Sequence, residues 1–488
     1  MTLLAAARSK ASPSAIWELV DALCAEDDAL DDAEAYWGAL LAAQVLHETG
    51  LAAFNRSLQA RHERKRLRVR DRQLGLLAST RLPARERALA GDLLAQLGDP
   101  RRHLREVDAM RFVFVPRGRF WMGQEGDQKA PLHENDTLDY DYWIGESPVT
   151  VAQFRQFVEA SGYTAHPSEA LLDLDNRPVA SLSWYDALAF CRWLDVRWRA
   201  HLPAGWEVTL PSEAEWEKAA RGGIEIPRGA ILGSLAEGFA PPQCALQANA
   251  QAQRAYPWGD AWDAERANAE EDIGQTTTPG CFSRGRSPLG CEDMAGNVWE
   301  WTRSLWGKEW DKPEFGYPYD ARNAGRENLS ADADILRVVR GGSWGSGRAA
   351  ARCAVRDRNP PDNWNDSGFR VLLRRSHVLP HFFWLCRQAQ RCDGTLVPHA
   401  FRKCRPIRAS GLTGRGEGRR TAPDASGPRA CRKAGRHRGS ARAGQIAKHG
   451  HGQAKRPPCP PRPRRGAMPA GSGATGRRAA CRCGRPSG

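Results

Sequence analysis

Residues 290–301 read GCEDMAGNVWEW. Taken as a strand, Val298 and Glu300 share one face, and Asn297, Trp299 and Trp301 share the other. A carboxylate set between two tryptophans is costly to bury unpaired. Two resolutions are open. One is a cation: Asp293, Asn297 and Glu300, with carbonyls freed by the bend at Gly296, are hard oxygen donors, and such donors suit Ca²⁺ better than zinc or copper. The other is a guanidinium, with Glu300 paired to an arginine such as Arg340 or Arg370.

On the N-terminal side lies a second oxygen-rich stretch, YPWGDAWDAERANAEEDIG (256–274), where Asn268, Asp272 and nearby carbonyls offer a second Ca²⁺ position. Its spacing is not that of an EF-hand, which needs alternating acids, a central glycine and a terminal glutamate. The alternative is an exposed acidic loop. On the C-terminal side, residues 337–371 read RVVRGGSWGSGRAAARCAVRDRNPPDNWNDSGFRV. Gly341 and Gly342 allow a bend or a close backbone approach. Asn359-Pro360-Pro361-Asp362 is a turn signal. Arg340, Arg352, Arg356 and Arg370 suit stacking on aromatics and bridging of carboxylates. A surface of Trp344, Arg348, Arg356, Asp357, Arg358, Asn363 and Trp364 suits ligand binding; the competing reading makes them ordinary turn and rim residues.

Further out the texture changes twice. Residues 1–105 read as a helical segment, with apolar spacing over 33–54 and 83–97 and a charge run at 62–72, HERKRLRVRDR, that makes a solvated helix face or a docking surface. From Arg111 the sequence RFVFVPRGRFWMG alternates as a strand does. Helices are expected at 149–162, at 183–198 with Ser183 as cap and Asp186 three residues on, and at 210–223 capped by Ser212. The rest, to Arg375, is rich in Gly, Pro, Asn and Trp. Together these define an irregular α+β domain over 106–375, its loops pinned by buried aromatics.

Residues 376–488 hold 25 Lys and Arg against three acids, while residues 1–375 hold 46 basic and 54 acidic groups. The net charge of +14 therefore belongs to the tail, and a basic partner-binding surface on the folded part is excluded as a first reading. So little apolar content makes the tail a disordered Arg/Gly/Pro-rich segment. It is either a nucleic-acid-binding arm or an out-of-frame translation of GC-rich coding sequence; nucleic acid is a partner only in the first case. Six cysteines are scattered over residues 1–375 without CxxC spacing, the N-terminus lacks a secretory pattern, and no run of about 18 apolar residues occurs. These features point to a cytoplasmic protein with reduced thiols and no membrane partner.

The blocks VFVPRGRFWMG, YWIGESPVTVAQFRQFVEA, RPVASLSWYDALAFCRWL, LPSEAEWEKAARGG, YPWGD, SPLGCEDMAGNVWEW, RVVRGGSW and SGFRV stand in an order that resembles the formylglycine-generating-enzyme, or sulfatase-modifying-factor, family from about Arg111 to Arg374. The resemblance implies a C-type-lectin-like variant fold and bound Ca²⁺. It assigns one calcium site to Asp293 and Glu300 with the Gly296 and Val298 carbonyls, and another to Asn268, Ala269 and Asp272. The chain departs from the family's oxidases in one place. Those carry two cysteines between the GGS turn and the RCAxR block, and their thiolates bind copper. Here that interval, Gly345 to Ala351, has none, and Cu(I) needs soft sulfur ligands. Copper is therefore not expected. The iron-dependent branch needs a histidine cluster, and the six histidines of residues 1–375 form no close helical pair. A third branch displays a variable binding surface on the same fold, with a C-terminal block close to this one. The helical stretch RLPARERALAGDLLAQLGDPR also resembles the linker preceding this domain in multidomain sensor ATPases, so the chain is read as a possible piece of a larger sensor. The expectation is a calcium-binding family member that binds a protein or small-molecule ligand without oxidising it. The alternatives are a copper-dependent oxidase making formylglycine and a non-haem iron enzyme.

Overall fold

A computed structural model describes residues 13–26, 33–53, 60–165, 168–363 and 365–376. The tail expectation and Trp364 lie outside the described residues.

Four longer helices come first: α1 (Pro13–Leu23), α2 (Ala33–Glu48), α3 (Ala60–Leu77) and α4 (Ala84–Leu97), followed by the single turn α5 (Arg102–Arg105). Gly98, at φ +86°, ends α4, as a left-handed cap does. Trp17, Val20, Leu40, Val45, Val69, Leu76, Leu93 and Leu94 form the core of this segment, and Cys281 and Phe282 from far along the chain complete it. The helices are therefore docked rather than free-standing. Polar contacts fix the docking: Arg87 donates to the Cys281 carbonyl at 2.8 Å and pairs with Glu265 at 2.8 Å. Arg177 pairs with Asp92, and Asn176 donates to Asp99 at 2.9 Å.

The domain proper is built on two sheets. One has the order β5-β13-β4-β1-β7, from Trp206–Thr209, Leu372–Arg375, Tyr142–Gly145, Arg111–Val115 and Leu232–Ser234, all antiparallel. The other has the order β11-β10-β9-β12, from Arg356–Asn359, Leu336–Arg340, Trp299–Gly307 and Ser367–Gly368, the last pair parallel. Two-stranded pairs, β2 (Phe120–Met122) with β3 (His133–Asn135) and β6 (Glu225–Pro227) with β8 (Leu246–Ala248), complete the strands. Residues 111–123 thus form two strands rather than one, broken at Pro116-Arg117-Gly118, where proline removes a ladder donor and Gly118 takes φ +123°. Helices α6 (Val151–Ser161), α7 (Trp184–Trp198) and α8 (Glu213–Arg221) each begin with a reciprocal capping box, from Thr150/Gln153, Ser183/Asp186 and Ser212/Glu215. An aromatic core of Phe112, Phe114, Trp143, Phe154, Phe157, Trp184, Phe190, Trp198 and Phe369 lies between α6, α7 and the first sheet.

Candidate functional site

The strand carrying Trp299, Glu300 and Trp301 begins only at Trp299; Asp293, Gly296 and Asn297 all have positive φ (53°, 79° and 70°) and form a turn before it. The period-two reading fails over 293–297 because the chain is bent to meet other loops. Gly296 is irreplaceable on space alone, since a Cβ there would stand 2.2 Å from the Asn268 carbonyl oxygen. Backbone bonds then tie the three sequence blocks together. Gly296 N–H donates to Gly341 O at 2.8 Å, Asn297 N–H to Asn268 O at 2.8 Å, Trp344 N–H to Asn297 O at 3.1 Å, Glu271 N–H to Trp344 O at 2.9 Å, and Gly347 N–H to Ala269 O at 2.7 Å.

Glu300 is 1% exposed and its carboxylate is engaged from three directions. Arg370 grips it with two donors, each at 2.6 Å, and Trp216 Nε1–H donates at 2.7 Å. The guanidinium, not a cation, resolves the burial of Glu300, and Arg370 is the partner rather than Arg340. Arg370 and Trp216 thus balance the Glu300 carboxylate within the protein, leaving at most one acceptor position on it for a cation. Asp293 differs. It is half-buried, accepts from Asn297 Nδ2 at 3.0 Å, and has no ion pair among the described residues. Burial, and then the charge of Glu292, push its carboxyl up to about 7. Gly296 O accepts from Val298 N–H at 3.0 Å. In the second loop Asn268, Ala269 and Asp272, with Glu265 and Glu270, line a cavity of about 300 Å³ beside the start of α4. There the Asn268 side chain donates to Gln275 O at 2.8 Å, Ala269 is buried and Asp272 is exposed. No three His, Cys, Asp or Glu side chains converge as a cage among the described residues, so a cation at either place would rely on backbone and amide oxygens for much of its coordination.

At the double-glycine bend a hydroxyl–carboxylate cluster occupies the loop. Ser343 Oγ and Ser346 Oγ are 2.7 Å apart, Ser346 Oγ accepts from Ser343 N–H at 3.1 Å, and Ser343 Oγ–H donates to Asp366. Among the described cysteines, Cys24, Cys191, Cys281, Cys291 and Cys353 are buried free thiols and Cys244 is half-buried. Cys353 hangs behind the bend, its thiol pushed up to about 11 by burial, and its carbonyl accepts from Arg340 at 2.7 Å.

The expected ligand surface is only partly a surface. Arg356 has a fully buried side chain, pairs with Glu213 at 2.8 Å, and lies between the Trp306 and Tyr317 rings at 4.9 and 4.6 Å. It belongs to the core because Glu213 neutralises it and two aromatic faces replace its water. Arg358 continues the stack outward, 5.0 Å from Trp306 and 4.6 Å from Trp310, and Trp310 is 50% exposed. Trp344, Asp357 and Asn363 are half-buried and Arg348 is exposed. Sequence reasoning missed the buried acids that hold these arginines. Glu213, Glu215 and Glu217 sit at alternate positions of α8, all 0% exposed. Glu213 serves Arg356 and Arg326, Glu217 serves Arg340, and Glu215 serves Arg303. Against the cost of burial, Arg303 and then Arg374 hold the Glu215 carboxyl down to about 2. The signal was the arginine excess over 337–371 facing a helix with three glutamates.

Fold and site together define a class, and the comparisons give it a family. Residues 98–375 match the sulfatase-modifying factor enzyme 1-like domain, and the chain belongs to that family. Among its relatives is the serine/threonine-protein kinase pkn1 of Chlamydia caviae, 29% identical over 280 residues, covering 53% of this chain and 37% of the kinase. The chain thus spans little more than a third of the length of that relative. The inactive C-alpha-formylglycine-generating enzyme 2 of Mus musculus is 26% identical over 343 residues, covering 57% of this chain and 90% of the relative. Among solved structures, Treponema denticola variable protein 1 aligns at a TM-score of 0.38 and 19% identity, covering 55% of this chain and 95% of the other. No described helix is long and apolar enough to cross a membrane.

Proposed function

We propose that this chain is a recognition module of the sulfatase-modifying factor family, acting in the cytoplasm and binding a protein or small-molecule ligand without oxidising it. One observation carries the reading. The bend where the oxidases need two thiolates holds the Ser343–Ser346–Asp366 cluster, and no cysteine lies between Ser343 and Arg352. Hydroxyls and a carboxylate are poor ligands for Cu(I), and a single thiol behind the bend does not make a two-thiolate site. The ligand surface is Trp344, Arg348, Asp357, Arg358 and Asn363, extended by the exposed ring of Trp310. Backbone bonds to the 268–272 and 293–297 turns hold the Trp344 end of that surface in place.

Calcium would act structurally in this reading. Asn268, Ala269 and Asp272 would hold one ion, and Asp293 with the Gly296 and Val298 carbonyls a second. The supporting observation is the carboxyl of Asp293, without a cationic side-chain partner among the described residues, in a turn where Asp293, Gly296 and Asn297 all take positive φ. A bound hard cation would offset the negative charge gathered there. The sensor role rests on the position of the domain beside a helical segment and on kinship with longer chains such as the chlamydial kinase. The test is aerobic incubation with a CxPxR peptide and copper, read by mass spectrometry, beside thermal-shift screening of ligands against wild type and Trp310→Ala. Unchanged peptide with a Trp310-dependent ligand shift supports the reading; an aldehyde product overturns it.

A further inference from the structure

A buried amine lies in a cavity that shares no residue with the Ser343 loop or the two acidic turns. Lys218, on α8, is 1% exposed. Its Nζ donates to the Gly118 carbonyl at 2.8 Å and stands 5.9 Å from the centre of the Phe120 ring. No carboxylate comes within ion-pairing distance of it among the described residues. Lys218 lines a cavity of about 380 Å³ together with Arg117, Gly118, Arg119, Ile224, Glu225 and Ala248. Arg119 is paired with Glu134 at 2.7 Å, whereas the Arg117 guanidinium is exposed and has no ion pair among the described residues. The cavity thus offers an amine with one acceptor at its base and an uncommitted guanidinium at its mouth.

We propose that Lys218 is an imine-forming nucleophile, whose free amine condenses with a small anionic aldehyde that enters this cavity and is held by Arg117. The nitrogen lone pair forms a bond to the carbonyl carbon, and the oxygen takes the displaced π electrons and a proton to give a carbinolamine. Loss of water, with the second N–H proton leaving, gives the imine. One amine and one aldehyde yield one imine and one water, so no oxidant or reductant is required. Three physical conditions favour it. The cavity is large enough for a ring-sized aldehyde. No carboxylate pairs with the amine, although Glu225 stands in the same wall, and burial pulls the amine down to about 7, only partly opposed by Asp141 and Glu215. An exposed lysine is neutral at pH 7 in only about one molecule in 2,500, so Lys218 starts with a neutral fraction on the order of a thousandfold larger. The charged groups around it are Arg117, Arg119 and Glu225 at the cavity wall and Asp141 and Glu215 further off.

The test exposes the whole chain to pyridoxal 5′-phosphate at neutral pH, reduces with borohydride, and maps adducts by peptide mass spectrometry. Pyridoxal without the phosphate is the comparison. Lys218 is expected to label at least tenfold faster than the exposed Lys129, Lys308 and Lys312, with a pH midpoint near 7. Lys218→Arg should remove that adduct alone, and Arg117→Gln should cut the preference for the phosphorylated probe several-fold. Should Lys218→Arg fail to fold, the rates measured on wild type decide. Labelling of Lys218 no faster than the surface lysines, or only after unfolding, overturns the proposal.

Discussion

Glu300→Gln isolates what the central glutamate does. The change keeps the side-chain shape and removes the charge facing Arg370, whose side chain is 0% exposed. Arg370 would keep its bonds to Gly145 O and Glu292 O, both at 3.0 Å, but of its two bonds to residue 300, each at 2.6 Å, one would face an amide NH₂ and be lost and the other would no longer meet a charge. Stripping one member from a buried ion pair typically costs about 3–5 kcal/mol, because the other charge stays buried without a partner. At roughly 2 °C per kcal/mol for a chain of this size, the thermal midpoint should fall by about 6–10 °C. The assay is urea and thermal unfolding in calcium and again in EDTA. The penalty should be the same in both, since the carboxylate serves a guanidinium. Glu300→Leu combined with Arg370→Leu should be less harmful than the two single changes added together. A loss under about 1 kcal/mol, or a penalty that vanishes in EDTA, refutes the reasoning.

Removing Glu213 should be comparably damaging: Glu213→Gln takes the shared carboxylate from Arg356 at 2.8 Å and Arg326 at 3.4 Å, for a loss of about 3–5 kcal/mol in urea unfolding. His103 sets an acid limb. Burial, then Arg111 and Arg101, lower its pKa to about 4. Its folded value lies below its unfolded one, so the unfolded chain binds the extra proton and stability falls as pH drops from about 6.5 to about 4. The loss reaches about 3 kcal/mol at most, and His103→Gln should flatten that limb of the stability–pH curve. Saturating calcium at about a hundredfold over its Kd should add about 2.7 kcal/mol per site. Asp272→Asn should remove most of the increment from its site while leaving stability in EDTA unchanged, as calorimetry with and without calcium would show.

Local signals were legible where chemistry is local. Ser183 with Asp186 and Ser212 start helices because their side chains satisfy free N–H groups of the first turn, a requirement visible in four residues. The arginine alternative for Glu300 was legible too, since a buried carboxylate demands a partner and few types can supply one. What could not be read was which arginine, because Glu300 and Arg370 are 70 residues apart. The same distance hid the pairing of Arg356 with Glu213, 143 residues away, which moved an expected ligand-binding arginine into the core. Docking of the N-terminal helices on Cys281 and Phe282 was invisible for a further reason. Helical periodicity says that a face is buried, not what covers it. The Ser343–Ser346–Asp366 cluster lay in plain sequence, but its hydroxyls meet only because Gly341 and Gly342, at φ +96° and +74°, fold the loop back on itself.

The chemistry of that loop separates recognition from oxidation. A reduced, copper-supplemented sample is incubated in air with a CxPxR peptide, and peptide mass and aldehyde reactivity are followed beside an active formylglycine-generating enzyme as positive control. The peptide should keep its cysteine while the control converts it. Conversion by this chain, surviving replacement of every cysteine beyond residue 376, would contradict the account.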